Sequence, residues 1–195
     1  MIMNLLTHYS ELIEAGCDEA GRGCLAGPVV AGAVILKPGF DMPELDDSKK
    51  LTEKKREALF DVICREAVAY AVASVDEKTI DEINILRARM RAMDEAIKAL
   101  SPAPELALID GNRTQGIDGN TRAVIGGDGI YSCIAAASVL AKVSRDRYMY
   151  ALAEKYPQYA FDKHKGYGTK LHYERLAQFG PCPAHRLTFL KKKHG

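Results

Sequence analysis

Four acidic residues stand where the sequence predicts strand ends or turns, and their types favour metal-dependent chemistry. They are Asp18, Glu19, Asp110 and Asp128. Because ligands bind beyond strand ends in α/β sheets, one sheet can gather carboxylates that are distant in sequence. Gathered carboxylates repel one another unless cations lie among them, and oxygen ligands without His or Cys favour Mg²⁺ or Mn²⁺ over Zn²⁺. Two such ions can activate a water and stabilise the leaving oxygen of a phosphodiester.

Each of these acids also has a structural interpretation as a turn former or a helix cap. Asp128 is the strongest case, since it lies beside glycines and before a helix. The sequence alone leaves this alternative open.

A glycine turn, Gly21-Arg22-Gly23, follows the first two acids directly. With Ala26 it matches the G-x-G-x-x-A dinucleotide fingerprint, but that fingerprint requires a helix, and here Pro28 and a strand-like run follow. We therefore reject dinucleotide binding. Exposed backbone N–H and C=O groups beside two acids suit contact with a sugar or a phosphate.

The charge is distributed unevenly along the chain. Residues 1–130 contain 15 Lys and Arg against 22 Asp and Glu, and residues 131–195 contain 12 against 4. If the basic third faces the acidic cluster, the surface attracts a polyanion, as a metal-dependent nuclease requires. Alternatively, these charges are dispersed over solvated faces.

Several basic residues are candidates for phosphate contact. They are Lys49, Lys142, Arg145 and the Lys191 to Lys193 tail. Lys142 is the best candidate because it shares the helix that follows Asp128. A solvated side chain or a salt bridge is an equal alternative for each, with Asp146 a potential partner of Arg145.

The histidines and cysteines indicate structural roles. His164, His172 and His185 have basic rather than acidic flanks, which favours structural or phosphate-facing positions over metal ligation. Five scattered cysteines without a C-x-x-C pair predict reduced thiols rather than a disulfide framework or a zinc site.

Length and composition fit one soluble globular domain. The chain has 195 residues, 47% hydrophobic and 27% charged. The first residues resemble neither a signal peptide nor a membrane anchor, so we expect a cytoplasmic protein without membrane contact.

The apolar segments predict an α/β fold with a five-stranded mixed sheet flanked by helices. Strands are predicted over 14–18, 29–36, 67–75, 106–110 and 121–125, the first two paired as a hairpin. Helices are predicted over 53–66 after the N-cap Thr52, and over 83–100, 132–156 and 170–178. The apolar face of 83–100 is formed by Leu86, Met90, Met93, Ile97 and Leu100. Small side chains at 135–138 predict close approach of the longest helix to the sheet.

Seven segments together carry a more specific signal. They are DEAGRG-x-LAGPVV from Asp18 to Val30, DSKKL from Asp47 to Leu51, INIL from Ile83 to Leu86, IDGN from Ile109 to Asn112, IAAASVLAKVSRDR from Ile134 to Arg147, HKGYGT from His164 to Thr169, and HRLTF from His185 to Phe189. In this order they resemble the ribonuclease HII family, the type 2 ribonucleases H of bacteria.

The resemblance implies a single ribonuclease H-like catalytic domain over 1–195, with a small helical C-terminal part from about residue 157. It places Asp18, Glu19, Asp110 and Asp128 on the family's four catalytic, metal-binding carboxylates, with two Mg²⁺ or Mn²⁺ ions during catalysis. It also implies a monomer that cleaves RNA in RNA–DNA hybrids and cuts 5′ of a lone ribonucleotide in duplex DNA. The products would carry 3′-hydroxyl and 5′-phosphate ends.

Two recognition elements follow from the same resemblance. Gly21, Arg22 and Gly23 would contact the ribose 2′-hydroxyl at the junction, and Tyr167 would stack on the deoxyribose that follows. The 2′-hydroxyl distinguishes a ribonucleotide from a deoxyribonucleotide.

Cys24 stands where the family commonly has proline, and Cys17 where a larger aliphatic residue is usual. We interpret both as small buried hydrophobic residues, with a redox role as the alternative. Two other functions remain open. A ribonuclease HIII-like nuclease without junction selectivity would carry an extra N-terminal domain, which the 17 residues before Asp18 disfavour. A non-catalytic binder of hybrid duplexes would not need all four carboxylates.

Overall fold

The computed structural model describes residues 5–40, 42–45 and 50–191. The strands are β1 (Glu14–Ala20), β2 (Val29–Ile35), β3 (Ala69–Val75), β4 (Leu106–Asp110) and β5 (Thr121–Val124). The helices are α1 (Glu53–Glu66), α2 (Glu77–Ile83), α3 (Ile85–Lys98), α4 (Ser132–Lys155), α5 (Phe161–His164), α6 (Lys170–Phe179) and α7 (Leu187–Lys191). Short 3₁₀ turns lie at Gly127–Gly129 and Pro157–Tyr159.

The five strands form one mixed sheet in the order β3-β2-β1-β4-β5. Strands β1, β2 and β3 pair antiparallel, whereas β1, β4 and β5 pair parallel. This arrangement confirms the predicted mixed sheet and the hairpin of the first two strands. Because β1 and β4 are parallel neighbours, their carboxyl ends meet at the same edge of the sheet.

Helix α4 lies directly against one face of the sheet, as the small side chains predicted. A Cβ on Gly16 in β1 would lie 2.1 Å from the backbone carbon of Cys133, and one on Gly32 in β2 would lie 2.5 Å from the carbonyl oxygen of Ala137. Any side chain at these glycines would push α4 off the sheet. The close contact fixes the start of α4 relative to the ends of β1 and β4.

The other face of the sheet is covered by α3, which confirms the helix predicted over 83–100 except for two residues at each end. Two helices meet at Asn84, which has a φ of 68° and whose Oδ1 accepts a hydrogen bond from the Arg87 N–H at 3.1 Å. This capping contact starts α3. Ile85 packs against the core on this face, whereas Leu86 is exposed, so the predicted place of Leu86 in the apolar face is wrong. Helix α2, capped by Asp76, was not predicted.

The C-terminal helices are tied to the loop between β1 and β2. Residues 182–186 run beside this loop, with the Gly27 N–H donating to Ala184 O at 2.9 Å and the Arg186 N–H donating to Leu25 O at 2.8 Å. The short helix α7 that follows was not predicted. Within the described ranges, no helix is long and apolar enough to cross a membrane.

Candidate active site

Three aspartates meet on the α4 side of the sheet edge. Cys17 in β1 pairs in register with Ile109 in β4, and both side chains belong to the core on the α3 face. Side chains alternate along a strand, so the next residues, Asp18 and Asp110, both point to the α4 face. The third, Asp128, lies in the turn before α4. The Gly127 N–H of this turn donates to Asp110 Oδ1 at 2.8 Å, which links the turn to β4.

The side chain of Glu19, the next residue in β1, points to the α3 face of the sheet, where it is paired with a buried arginine. Arg89 of α3 places its Nε 2.8 Å from Glu19 Oε1, and its Nη2 donates to the main-chain oxygen of Asp110 at 2.7 Å. Arg89 therefore joins the ends of β1 and β4. We call Asp18, Glu19, Asp110 and Asp128 the carboxylate cluster.

The carboxylate cluster is electrostatically unfavourable in the absence of cations. Burial raises the pKa of Asp18 well above its ordinary value, and the negative charges of Glu19, Asp110 and Asp128 raise it further. The hydrogen bond from the Glu19 N–H to Asp18 Oδ1, at 2.7 Å, offsets only part of this effect. The site thus favours either a proton or a metal ion at Asp18.

The donor set fits a hard divalent cation. All four side chains supply oxygen, and Glu19 Oε2 is buried without a hydrogen-bond partner among the described residues. A buried carboxylate oxygen without a donor is costly unless a cation binds it. Across 5–40, 42–45 and 50–191, no three His, Cys, Asp or Glu side chains already converge on a single metal position.

Arg89 is a site residue that the sequence reasoning missed. It is 4% exposed, although it lies between Ala88 and Met90 in the apolar face of α3. A charged residue inside an apolar helix face was the available signal, because a buried guanidinium needs a carboxylate or carbonyl partner.

The loop Gly21–Gly23, here called the glycine loop, is held by hydrogen bonds from the buried side chain of Arg186. This arginine is fully buried, and its Nη2 and Nη1 donate to the carbonyl oxygens of Gly21 at 2.7 Å and Arg22 at 3.1 Å. In a trans peptide, the C=O of one residue and the N–H of the next residue point in opposite directions. The N–H groups of Arg22 and Gly23 therefore face away from Arg186, on a stretch where both residues are exposed. No local pattern in the sequence predicts this role for Arg186.

Arg145 requires a correction. Its guanidinium is fully buried and donates to three carbonyl oxygens, those of Pro28 at 2.9 Å, Lys165 at 2.8 Å and Ala26 at 2.9 Å. No guanidinium surface is left for a phosphate, so the predicted phosphate contact is wrong. Asp146 is not its partner either, since that carboxylate lies 2.6 Å from Lys142 Nζ.

Tyr167 lies near the glycine loop, since Arg145 packs against both Gly21 and the Tyr167 ring, and 41% of its surface is exposed. Lys142 Nζ and the Arg145 guanidinium carbon each lie 5.8 Å from the centre of its ring. Lys142 thus sits beside Tyr167, although it is paired with Asp146. Lys49, Lys192 and Lys193 fall outside the described residues, and Lys191 is exposed at the end of α7.

The cysteines agree with the structural interpretation. All five are free thiols, and both Cys17 and Cys24 are fully buried. Burial raises the pKa of both thiols, so both are poor nucleophiles at neutral pH.

Comparisons with known proteins give one consistent match. A family model described as Ribonuclease HII matches residues 15–193. The chain is 57% identical over 176 residues to Ribonuclease HII of Endomicrobium trichonymphae, which covers 90% of this chain and 84% of that protein. It is similar in structure to ribonuclease H2 of Pyrococcus horikoshii OT3, with a TM-score of 0.75, 28% identity and coverage of 92% and 95%. The RNase HII in a PCNA complex from Archaeoglobus fulgidus also gives a TM-score of 0.75 and 28% identity, with coverage of 90% and 94%.

Proposed function

The chain belongs to the ribonuclease HII family and is thus a ribonuclease H, a hydrolase acting on RNA–DNA hybrids, and we propose that it also cuts 5′ of a single ribonucleotide in duplex DNA. The cut would leave 3′-hydroxyl and 5′-phosphate ends and would start the removal of misincorporated ribonucleotides. The observation that carries this proposal is the carboxylate cluster beside a loop with outward-facing peptide N–H groups. Chemistry and sugar recognition would then lie within a few residues of β1.

Asp18, Glu19, Asp110 and Asp128 would hold two Mg²⁺ or Mn²⁺ ions. When bound, such ions supply an activated water and stabilise the leaving oxygen. Burial and like charges make the Asp18 carboxylate a strong site for positive charge. Arg89 fixes Glu19 through one oxygen and leaves Oε2 for a ligand.

The glycine loop would test for the ribose. Its outward N–H groups at Arg22 and Gly23 can donate to a 2′-hydroxyl, which deoxyribose lacks. A Cβ on Gly23 would meet nothing within 4 Å in the free protein, so open space surrounds this position. A glycine that packing does not require suits close approach of a sugar.

Tyr167 would stack on the deoxyribose that follows the ribonucleotide, because its ring is exposed beside the glycine loop. Lys142 would contact a phosphate from its position next to that ring. Lys49 and the Lys191 to Lys193 tail stay candidates for further phosphate contacts. We also propose that the protein acts as a monomer in the cytoplasm.

The deciding experiment uses a DNA duplex with one embedded ribonucleotide, labelled at either end, with Mg²⁺ or Mn²⁺. We expect one cut 5′ of the ribonucleotide, and none in the all-DNA duplex. A uniform hybrid measures the basal ribonuclease H activity. Cleavage of the hybrid without cleavage at the single ribonucleotide would overturn the junction assignment, and binding without cleavage of either duplex would indicate a non-catalytic binder.

A further inference from the structure

Three buried histidines form a connected group next to the main chain of Tyr167. We call His164, His172 and His185 the histidine cluster; their exposed fractions are 7%, 0% and 2%. The rings of His164 and His172 stack with centroids 4.1 Å apart, and Nε2 of His172 lies 3.0 Å from Nε2 of His185. No carboxylate forms a hydrogen bond or ion pair with these rings within the described part of the chain.

Backbone donors fix where two of these rings carry their proton. The Gly166 N–H donates to His164 Nδ1 at 3.1 Å, and the Cys182 N–H donates to His185 Nδ1 at 3.0 Å. A neutral ring that accepts at Nδ1 must be protonated at Nε2. His164 and His185 therefore donate through Nε2.

The proton position of the third ring follows from the second. His185 donates from Nε2 to Nε2 of His172, so His172 carries its proton on Nδ1. That Nδ1–H donates to the carbonyl oxygen of Tyr167 at 2.9 Å. His164 donates from Nε2 to Tyr159 O at 2.8 Å. All six ring nitrogens are satisfied when each ring is neutral.

Both peptide groups of Tyr167 are held by this arrangement. Its N–H donates to the carbonyl oxygen of His164 at 2.9 Å, and its carbonyl oxygen accepts from His172 and from the Thr169 N–H at 2.8 Å. The preceding Gly166 is fixed by the Leu25 N–H, which donates to Gly166 O at 2.8 Å. The ring of Tyr167 is thus exposed on a main chain that the histidine cluster immobilises.

We propose that His172 and His185 are positioning residues that orient Tyr167 against the sugar at the ribonucleotide junction. The inference rests on the proposed function of Tyr167. Neither histidine touches substrate, since both are buried, and they act through the Tyr167 main chain. Their contribution is preorganisation of an aromatic side chain that would otherwise have to be ordered on binding.

The same segment also fixes the second recognition element. Arg186 follows His185 and holds the carbonyl groups of the glycine loop. Two adjacent side chains near the C-terminus therefore orient the two groups proposed to recognise the junction. A change at His185 is expected to act on Tyr167, and a change at Arg186 on the glycine loop.

The test compares His172→Leu with His172→Asn in the full-length protein. Leucine removes both ring nitrogens, whereas the asparagine amide can replace the donor to Tyr167 O. The readout is the ratio of the cleavage rate at a single ribonucleotide to that on a uniform hybrid. We expect His172→Leu to lower this ratio about tenfold, equivalent to ~1.4 kcal/mol, and His172→Asn to restore it to within about threefold of the wild type.

A double-mutant cycle separates positioning from general destabilisation. In a Tyr167→Ala background, His172→Leu should leave the ratio unchanged, because its effect passes through Tyr167. Additive losses, or equal losses on both substrates, would overturn the proposal. If His172→Leu does not fold, His185→Asn replaces it. This variant keeps an acceptor for the Cys182 N–H but loses the donor to His172. An unchanged ratio of the two cleavage rates in His185→Asn would also overturn the proposal. A wild type that cuts hybrids but not single ribonucleotides would instead refute the proposed function.

Discussion

The carboxylate cluster and the recognition elements next to it are stabilised in opposite ways. In the carboxylate cluster, like charges crowd around Asp18 and Glu19 Oε2 lacks a hydrogen-bond partner among the described residues. Around the glycine loop and Tyr167, buried Arg186 and His172 satisfy the main-chain carbonyls. The main chain of the glycine loop and of Tyr167 is therefore held by satisfied hydrogen bonds, whereas the carboxylate cluster favours a proton or a cation at Asp18.

The largest expected effect comes from breaking the carboxylate cluster. Asp110→Asn or Asp18→Asn should lower single-turnover cleavage about a thousandfold or more, corresponding to ~4 kcal/mol of transition-state stabilisation. Binding of the duplex, measured by fluorescence anisotropy, should survive because the recognition elements are intact. Asp118→Asn is the matched control, since that side chain is 79% exposed. Full activity of either active-site variant would disprove the metal assignment.

Alanine substitutions at the two glycines of the glycine loop should have different effects, one on cleavage and the other on stability. Gly23→Ala adds a Cβ into open space, so we expect unchanged thermal stability with cleavage reduced about 10- to 100-fold where the sugar approaches. Gly21→Ala places a Cβ 2.0 Å from Arg145 Nε at a φ of 88°, and overpacking should cost about 1–3 kcal/mol of stability. Thermal unfolding and single-turnover cleavage measure both effects. Normal cleavage by Gly23→Ala would argue against sugar contact at this position.

Tyr167→Ala tests the second recognition element. We expect about a tenfold greater loss at a single ribonucleotide than on a long hybrid, because a hybrid offers many equivalent cleavage sites. Tyr148→Ala, which removes another exposed tyrosine, serves as the control. Equal losses on both substrates would remove Tyr167 from junction recognition.

The smallest expected effect is a difference in how the two regions respond to pH. Asp18 has a raised pKa in the native state, so the native state binds more protons and the residue destabilises the fold as pH rises above its ordinary pKa. Asp18→Asn should therefore raise the unfolding temperature at about pH 8 without divalent cations, and less at about pH 4. Mg²⁺ should stabilise the wild type but not this variant. A lower unfolding temperature for Asp18→Asn at the higher pH would contradict the proposed repulsion.

The histidine cluster should respond in the opposite direction in the same pH series. Burial lowers the pKa of His172 and His185 from 6.5 to about 4. The unfolded chain then binds more protons, so their stabilising contribution is complete above 6.5 and is lost as pH falls toward about 4. Acid should thus destabilise the histidine cluster that holds the main chain of Tyr167, and it should reduce the charge repulsion around Asp18.

The closeness of Asp18 and Asp110 could be predicted from the sequence because strand ends are a local signal. Asp18 and Asp110 follow apolar runs, and parallel pairing of the two strands brings them together. Helix boundaries were less accurate at Asn84, where a single capping contact divides an otherwise continuous helical pattern.

The supporting arginines were not predictable in the same way. Arg145 and Arg186 bind carbonyl groups that are 117 and 165 residues away in sequence. No local pattern distinguishes such a residue from a basic residue on the surface, and their role depends on burial that only the fold defines. The same limit explains why Arg145 was wrongly predicted to bind phosphate.

The bond between Arg186 and Gly21 also has a consequence for synthesis of the chain. The acids of the carboxylate cluster are all present once residue 128 has been made, but the glycine loop lacks its support until residue 186 has emerged. Since chains are synthesised from the N-terminus at roughly 5–20 residues per second, several seconds separate these two events. The Gly21 carbonyl therefore gains its buried donor late, and we expect the glycine loop to become ordered only after residue 186 has emerged.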